Sequence, residues 1–279
     1  MRGTALVIGG GGFTAAAWEI GVLKGLADAG CDLSEAGLVV GTSAGSVTGA
    51  RIAAGTTLDV LYEEETSGRP DPLDLHISLA TTARYLLAAL GARSSPASAR
   101  RLGRFALAAR TVTEDEVHEA IGKLLPVRDW PRRPLLVAAV DTATGEVTAF
   151  DAASGTGLPL AVAASCAVPG IWPPITAAGT RWIDGGVRSS VNAGLAQGCE
   201  RAVVLAPIPN VPGPGPKAAD EARALERSGT RTALLVPDRA ARRAFGRNPL
   251  DARRRPAVAR AGHAQGIAFA GRVTALWQD

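Results

Sequence analysis

Histidine, cysteine and aromatic residues are all scarce in this chain, and each shortage narrows what it can do. Only three of its 279 residues are histidine: His76, His118 and His263. The three cysteines, Cys31, Cys166 and Cys199, are odd in number and far apart. They lack metal-ligand spacing, which argues against a disulfide framework and for reduced thiols in a reducing compartment. Aromatic side chains make up 4% of the sequence, against 47% hydrophobic residues dominated by small ones. No apolar stretch is long enough to span a bilayer. The apolar run after Met1-Arg2-Gly3 stops at Gly9, too short for a signal peptide. The expectation is a cytoplasmic protein that touches a membrane only from its surface. The net charge of +4 is compatible with an anionic partner without requiring one.

What the chain does have is glycine in telling places. Gly41-Thr42-Ser43-Ala44-Gly45 reads G-x-S-x-G. It follows the apolar run Leu38-Val39-Val40 and leads into residues 46–54, which read as a helix. A serine on a sharp strand-to-helix turn is lifted out of the sheet, and glycines allow the backbone that turn. The helix start behind it places free N–H groups and a positive dipole end beside a developing anion.

A second glycine run, Gly9-Gly10-Gly11-Gly12, joins a strand at 4–8 to a helix at 13–29. Its bare backbone amides fit two uses. One is an oxyanion hole for acyl transfer. The other is phosphate binding, since Gly10, Gly12 and Ala15 satisfy G-x-G-x-x-A. The dinucleotide use needs a carboxylate at the end of the next strand. That strand runs into Gly41 and the serine turn, while Asp28 and Asp32 lie before it. Neither glycine turn is followed by Gly-Lys-Ser/Thr, so a P-loop is excluded.

Further strands are expected at 135–140 and 146–150, joined as a hairpin, and at 202–206 and 232–236. Helices are expected at 57–65, 158–164, 188–197 and 256–277. Residues 67–72 are a breaker cluster. Residues 74–125 change character, becoming helical and rich in alanine and leucine, with a capping box at Thr113-Glu114-Asp115-Glu116. This reads as a helical cap inserted into one α/β domain spanning 1–279, with a mostly parallel sheet. Leu86, Leu87, Leu90, Leu102, Phe105 and Leu107 either line an acyl pocket or pack the cap onto the core.

Two residues can serve Ser43 as base. Asp184-Gly185-Gly186 follows the apolar Trp182-Ile183, and an aspartate on that flexible turn can accept the serine proton directly. Alternatively, Ser43, Asp184 and His263 follow the chain order of histidine-dependent α/β-hydrolases. A non-catalytic nucleotide- or lipid-binding protein using the glycine loop is a third reading. The arginine-rich run 239–260 fits either a solvated face or a contact with anionic lipid. It lacks the interleaved aromatics of a nucleic-acid site beyond Phe245, so no nucleic acid is expected. No side-chain cluster has metal-ligand spacing, so no metal or cofactor is expected.

The glycine run, the GTSAGS turn at 41–46, the ASCAVPGIWPPI stretch at 164–175 and the DGG at 184–186, in this order, resemble the patatin-like phospholipase family. The resemblance implies a three-layer α/β/α fold and hydrolysis of lipid acyl esters. It implies a Ser–Asp dyad of Ser43 and Asp184, framed by Gly41, Gly45, Gly185 and Gly186, with the Gly10, Gly11 and Gly12 amides as oxyanion hole. That family usually follows its glycine run with Arg or Lys and then glycine. Here Phe13-Thr14-Ala15 stand there, which widens the expected substrates to neutral lipids, short esters and thioesters.

Overall fold

In the computed structural model the described residues are 3–68, 79–90 and 92–278, with side chains described from 83 in the second segment. The expected start of the cap at 74, the end of the breaker cluster and His76 lie outside them.

Short runs rich in β-branched and small apolar residues form the strands, because side chains packed on both faces of a sheet leave no place for polar groups. β1 (Thr4–Ile8) and β2 (Leu38–Thr42) are central and almost wholly buried. β3 (Leu135–Asp141), β4 (Val147–Phe150), β5 (Ile175–Ala177), β6 (Thr180–Asp184), β7 (Arg201–Leu205) and β8 (Arg231–Leu235) complete the sheet. The order is β5-β6-β3-β2-β1-β7-β8, with β4 also paired to β3. Neighbours from β3 to β8 run parallel, while β4, β5 and β6 enter antiparallel.

Alternation along the strands separates two cores. Leu6, Ile8, Val39, Val203 and Leu205 face one side. Ala5, Val7, Leu38, Val40, Ala202 and Val204 face the other. The first side is covered by α1 (Gly12–Asp28), α7 (Leu158–Ser165) and α10 (Arg255–Trp277), and the second by α8 (Ala218–Arg227). The helix–sheet–helix layering is the three-layer α/β/α architecture.

The tightest helix pair joins the two ends of the chain. Gly21 and Gly25 of α1 lie against α10, and Gly262 and Gly266 of α10 lie against α1. A Cβ on Gly21 would sit 2.2 Å from the Ala259 carbonyl oxygen, and one on Gly262 2.4 Å from that of Trp18. The Trp18 indole donates to Gln265 Oε1 at 2.8 Å within this contact.

α2 (Ala44–Ala53) and α3 (Leu58–Thr66) follow β2, and α3 is capped by the Thr57 hydroxyl. α4 (Leu79–Leu90), α5 (Ser95–Ala108) and α6 (Glu114–Leu124) form the inserted helical segment, with the expected capping box intact at Thr113 and Glu116. Its role differs from that of a simple cap. Leu102 and Ala106 of α5 are buried with Val140 and Ile183 of the sheet, so α5 is a structural layer.

Three local expectations are corrected. β5, at residues 175–177, forms where no strand was expected. Its turn to β6 uses Ala178 and Gly179 at φ 49° and 74°, a two-residue hairpin geometry. The helix expected at 188–197 is reduced to one short 3-10 turn, Ala193–Ala196, entered through Asn192 at φ 49°. Ser189 Oγ accepts the Val191 and Asn192 amides there, and such local bonds compete with helix. Finally, α8 and α9 (Arg239–Phe245) form in stretches not read as helical.

Candidate active site

Ser43 sits between β2 and α2 at φ 52° and ψ −125°, a conformation that costs a non-glycine residue about 1–3 kcal/mol. Close packing imposes it. A Cβ on Gly41 would lie 2.5 Å from Ser46 Cα, and one on Gly45 2.3 Å from the Gly9 carbonyl oxygen. Hydrogen bonds then lock the turn. The Ser46 amide and hydroxyl both donate to the Ser43 carbonyl, at 2.7 and 2.6 Å. The Ser43 amide donates to Ser165 Oγ at 2.8 Å.

Sheet register delivers Asp184 to this turn. Residues 39–42 of β2 pair with residues 135–138 of β3, and residues 139–141 of β3 pair with residues 184–182 of β6. Because β4 also pairs with residues 137–140, it occupies the opposite edge. β2 and β6 therefore meet end to end along one edge of β3, with Thr42 opposite Ala138 and Asp184 opposite Ala139. The chain leaves β2 at Ser43, and the next position on that edge is Asp184. Ser43 Oγ donates to Asp184 Oδ2 at 2.6 Å, and the Gly186 amide donates to Oδ1 at 2.7 Å. Burial pushes the Asp184 carboxyl up to about 6, against the pull of those two hydrogen bonds.

The glycine loop closes the third side. A Cβ on Gly10 would lie 3.0 Å from Ser43 Cβ, so the loop abuts Ser43. The Gly10 amide, however, donates to the Ser190 carbonyl at 2.7 Å. Of the three glycines expected to offer an oxyanion amide, Gly10 is thus already committed. Gly11 and Gly12 have no hydrogen-bond acceptor for theirs among the described residues, and they stand at the open N-terminus of α1.

A cavity of about 450 Å³ opens on this constellation, lined by Gly10, Gly11, Gly12, Ser43 and Asp184. It lies at the carboxyl ends of β1 and β2, where open α/β sheets place ligands. Its walls are largely apolar: Phe13, Val47, Ile121, Leu124, Ile171 and Trp172 among others. Of the six apolar cap residues considered as pocket lining, only Leu86 reaches it. Leu102 is buried in the sheet-facing core, Phe105 packs against that core, and Leu87, Leu90 and Leu107 are exposed. One charged patch, Arg51, Glu65 and Arg255, also lines the cavity. Its members are held in bidentate pairs, Arg51 with Glu64 and Arg255 with Glu65.

Several contributors were not legible as motifs. Ser165 fixes the Ser43 amide. Asn192 Nδ2 donates to Thr42 Oγ1 at 3.1 Å and to the Gly185 carbonyl at 3.3 Å, tying the Ser43 and Asp184 turns together. Tyr85 of α4 lines the cavity, its hydroxyl pushed up by burial and then by the Asp184 charge. Cys166 also lines it, its thiol raised by the same two causes in the same order. Glu19 of α1 is fully buried with neither carboxyl oxygen hydrogen-bonded. Burial holds the acid well above the usual carboxylate range, against the smaller pull of the Gly9 amide.

The histidines stand elsewhere. His263 Nε2 bonds Asp28 Oδ2 at 2.8 Å and its ring packs near Tyr62. It is absent from the cavity lining, and His118 is exposed on α6. The arginine run is also tied into structure. Arg242 donates to the Pro237 carbonyl, Arg253 and Arg254 face Asp251, and Arg255 holds Glu65. Among the described residues no group of three His, Cys, Asp or Glu side chains is placed to hold a metal ion. No helix among them is long and apolar enough to cross a membrane.

No curated protein matches the chain. Among solved structures, VipD from Legionella pneumophila is 12% identical at a TM-score of 0.47, over 98% of this chain and 67% of that one. The type III effector protein ExoU is 14% identical at a TM-score of 0.44, over 97% of this chain and 53% of that one, so this chain spans about half its length. The patatin-like phospholipase family model matches residues 6–196, well over half of the chain and a span that includes Gly10, Gly11, Gly12, Ser43 and Asp184. The chain belongs to the patatin-like phospholipase family and is a lipid acyl hydrolase.

Proposed function

We propose that Ser43 and Asp184 are the nucleophile and general base of this hydrolase, working without histidine on carboxylic esters of lipids. The observation that carries this reading is the 2.6 Å hydrogen bond from Ser43 Oγ to a buried carboxylate. In the first half-reaction Asp184 Oδ2 takes the Ser43 proton as Oγ bonds to the acyl carbon. The carbonyl electron pair moves onto oxygen, where the Gly11 and Gly12 amides stabilise it. Collapse expels the alkoxide, which leaves with the proton held on Asp184. In the second half Asp184 deprotonates a water, which attacks the acyl-enzyme; collapse frees the acid, and Asp184 returns the proton to the departing Ser43 Oγ. A carboxyl near pH 6 suits both duties, being ionised at neutral pH yet basic enough to hold a proton briefly.

The apolar cavity supports an acyl chain as the recognised part of the substrate. Phe13 lines it, and the glycine run lacks the Arg or Lys that usually follows it in this family, so we assign the enzyme to esters with an uncharged alcohol side or a small headgroup. The test is turnover of p-nitrophenyl esters of graded chain length, then of monoacylglycerol and lysophospholipid. Wild type, Ser43→Ala, Asp184→Asn and His263→Ala are compared. Turnover lost in the first two variants and kept in the third supports the dyad. Loss with His263→Ala alone would assign the base to histidine. A folded wild type that turns over none of these esters would contradict the reading.

A further inference from the structure

The inserted helical segment presents an apolar stripe to solvent. Ala83, Leu86, Leu87 and Leu90 recur at the i, i+3, i+4, i+7 spacing of one helix face, and all four are exposed. The exposures are 37% for Leu86, 71% for Leu87 and 63% for Leu90, with Leu107 of α5 at 51%. The opposite face of α4 already does the packing, through the fully buried Ala89. The stripe is therefore surplus to the fold.

Its charge environment is one-sided. Residues 79–113 contain six arginines, Arg84, Arg93, Arg100, Arg101, Arg104 and Arg110, and no Asp or Glu. The segment thus carries +6, while the whole chain carries +4, leaving −2 for all the rest. Arg84, Arg93, Arg104 and Arg110 are exposed. The stripe also adjoins the catalytic cavity, because Leu86 belongs to both and Tyr85 beside it lines the cavity.

We propose that the α4–α5 face seats this enzyme on an anionic lipid bilayer, with Leu87 and Leu90 entering the headgroup region and the arginines holding lipid phosphates. Apolar side chains flanked by arginine are the composition of an interfacial helix. Cationic residues near an anionic surface each add to its attraction. Continuity with the cavity gives the lipid a short path from membrane to Ser43. The proposal rests on the lipid-hydrolase reading for its purpose, and it replaces residues 239–260 as the membrane-facing surface.

The test is co-sedimentation of the full chain with vesicles of phosphatidylcholine, with and without phosphatidylglycerol. Turnover of a soluble short ester is measured on the same samples. Wild type is expected to bind the phosphatidylglycerol vesicles at least about tenfold better than the neutral ones. Leu87→Ser/Leu90→Ser and, separately, Arg84→Gln/Arg93→Gln/Arg104→Gln are each expected to lower that binding about tenfold or more, with short-ester turnover within about twofold of wild type. The arginine variant leaves the leucines in place, so loss of binding there does not depend on how the helix tolerates serine. Equal binding of both variants and wild type would overturn the proposal. So would loss of binding only in Arg242→Gln/Arg243→Gln, indifference to phosphatidylglycerol, or a wild-type dimer that Leu87→Ser/Leu90→Ser converts to monomer. Vesicle binding as expected with no ester turnover would strike the hydrolase reading and leave the docking surface standing.

Discussion

The reaction centre and the inserted helices are built on opposite plans. Around Ser43 and Asp184, backbone decides position: register along one edge of β3, glycines where two backbone segments nearly touch, and a serine held in a strained turn. In α4 and α5, side chains decide, with one face filled by Ala89, Leu102 and Ala106 and the other left as leucine and arginine in water. A reacting oxygen must be placed to fractions of an ångström, which sheet register can do. A surface that meets a fluid lipid needs only composition. The two regions should therefore respond differently to substitution.

The largest effects belong to the reaction centre. Ser43→Ala is expected to lower kcat at least about 10⁴-fold, and Asp184→Asn about 10²–10⁴-fold, in steady-state ester turnover. Gly11→Ala comes next. Its φ of 150° disfavours a side chain, and the new Cβ would meet Ala15 Cβ at 2.8 Å, turning the amide away from the oxyanion. The expected loss is about 10²–10³ in kcat with KM little changed. Substitution in the insertion should act on stability instead. Leu102→Ala removes a fully buried side chain and is expected to cost about 2–5 kcal/mol in denaturant unfolding, with kcat on a soluble ester intact. A matching loss of kcat would break the distinction between the two regions.

Asp184, the proposed base, sharpens it from the other direction, because its burial works against the fold. Its folded pKa of about 6 lies above the ordinary 3.8. The native state then binds more protons than the unfolded one between those values, so stability falls as pH rises through that window. Asp184→Asn should relieve this and raise unfolding stability by up to about 3 kcal/mol at pH 8, with the gain vanishing near pH 4. The same ionisation should appear in catalysis as kcat/KM rising with pH through about 6 to a plateau. The smallest effect is assigned to His263→Ala, whose imidazole is engaged with Asp28; less than about twofold in turnover and no shift of the pH profile are expected.

The sequence disclosed the parts of the molecule that depend on local chemistry. The strand–turn–helix around Ser43, the capping box at Thr113 and the apolar strands were readable because each is specified within a dozen residues. Ser43 and Asp184 were readable as residues, but not the reason they meet, since 141 positions separate them and the link is the register of β3. Gly10 looked equivalent to Gly11 and Gly12, and only its bond to Ser190, far along the chain, distinguishes it. The helix expected at 188–197 failed because Ser189 and Asn192 spend their hydrogen bonds locally and on Thr42. The leucines of the insertion carried a sound helical period, yet periodicity does not say which face meets the core.

A serine activated by a carboxylate alone is the central proposal for this hydrolase. Its sharpest measurement is the pH dependence of fluorophosphonate labelling, with the modified residue mapped by mass spectrometry, in wild type, Asp184→Asn and His263→Ala. The account predicts label on Ser43, a labelling rate that rises through about pH 6 in wild type and His263→Ala alike, and near-loss of labelling in Asp184→Asn. Label on another residue, or a pH-dependent step that survives in Asp184→Asn and disappears with His263→Ala, would contradict it.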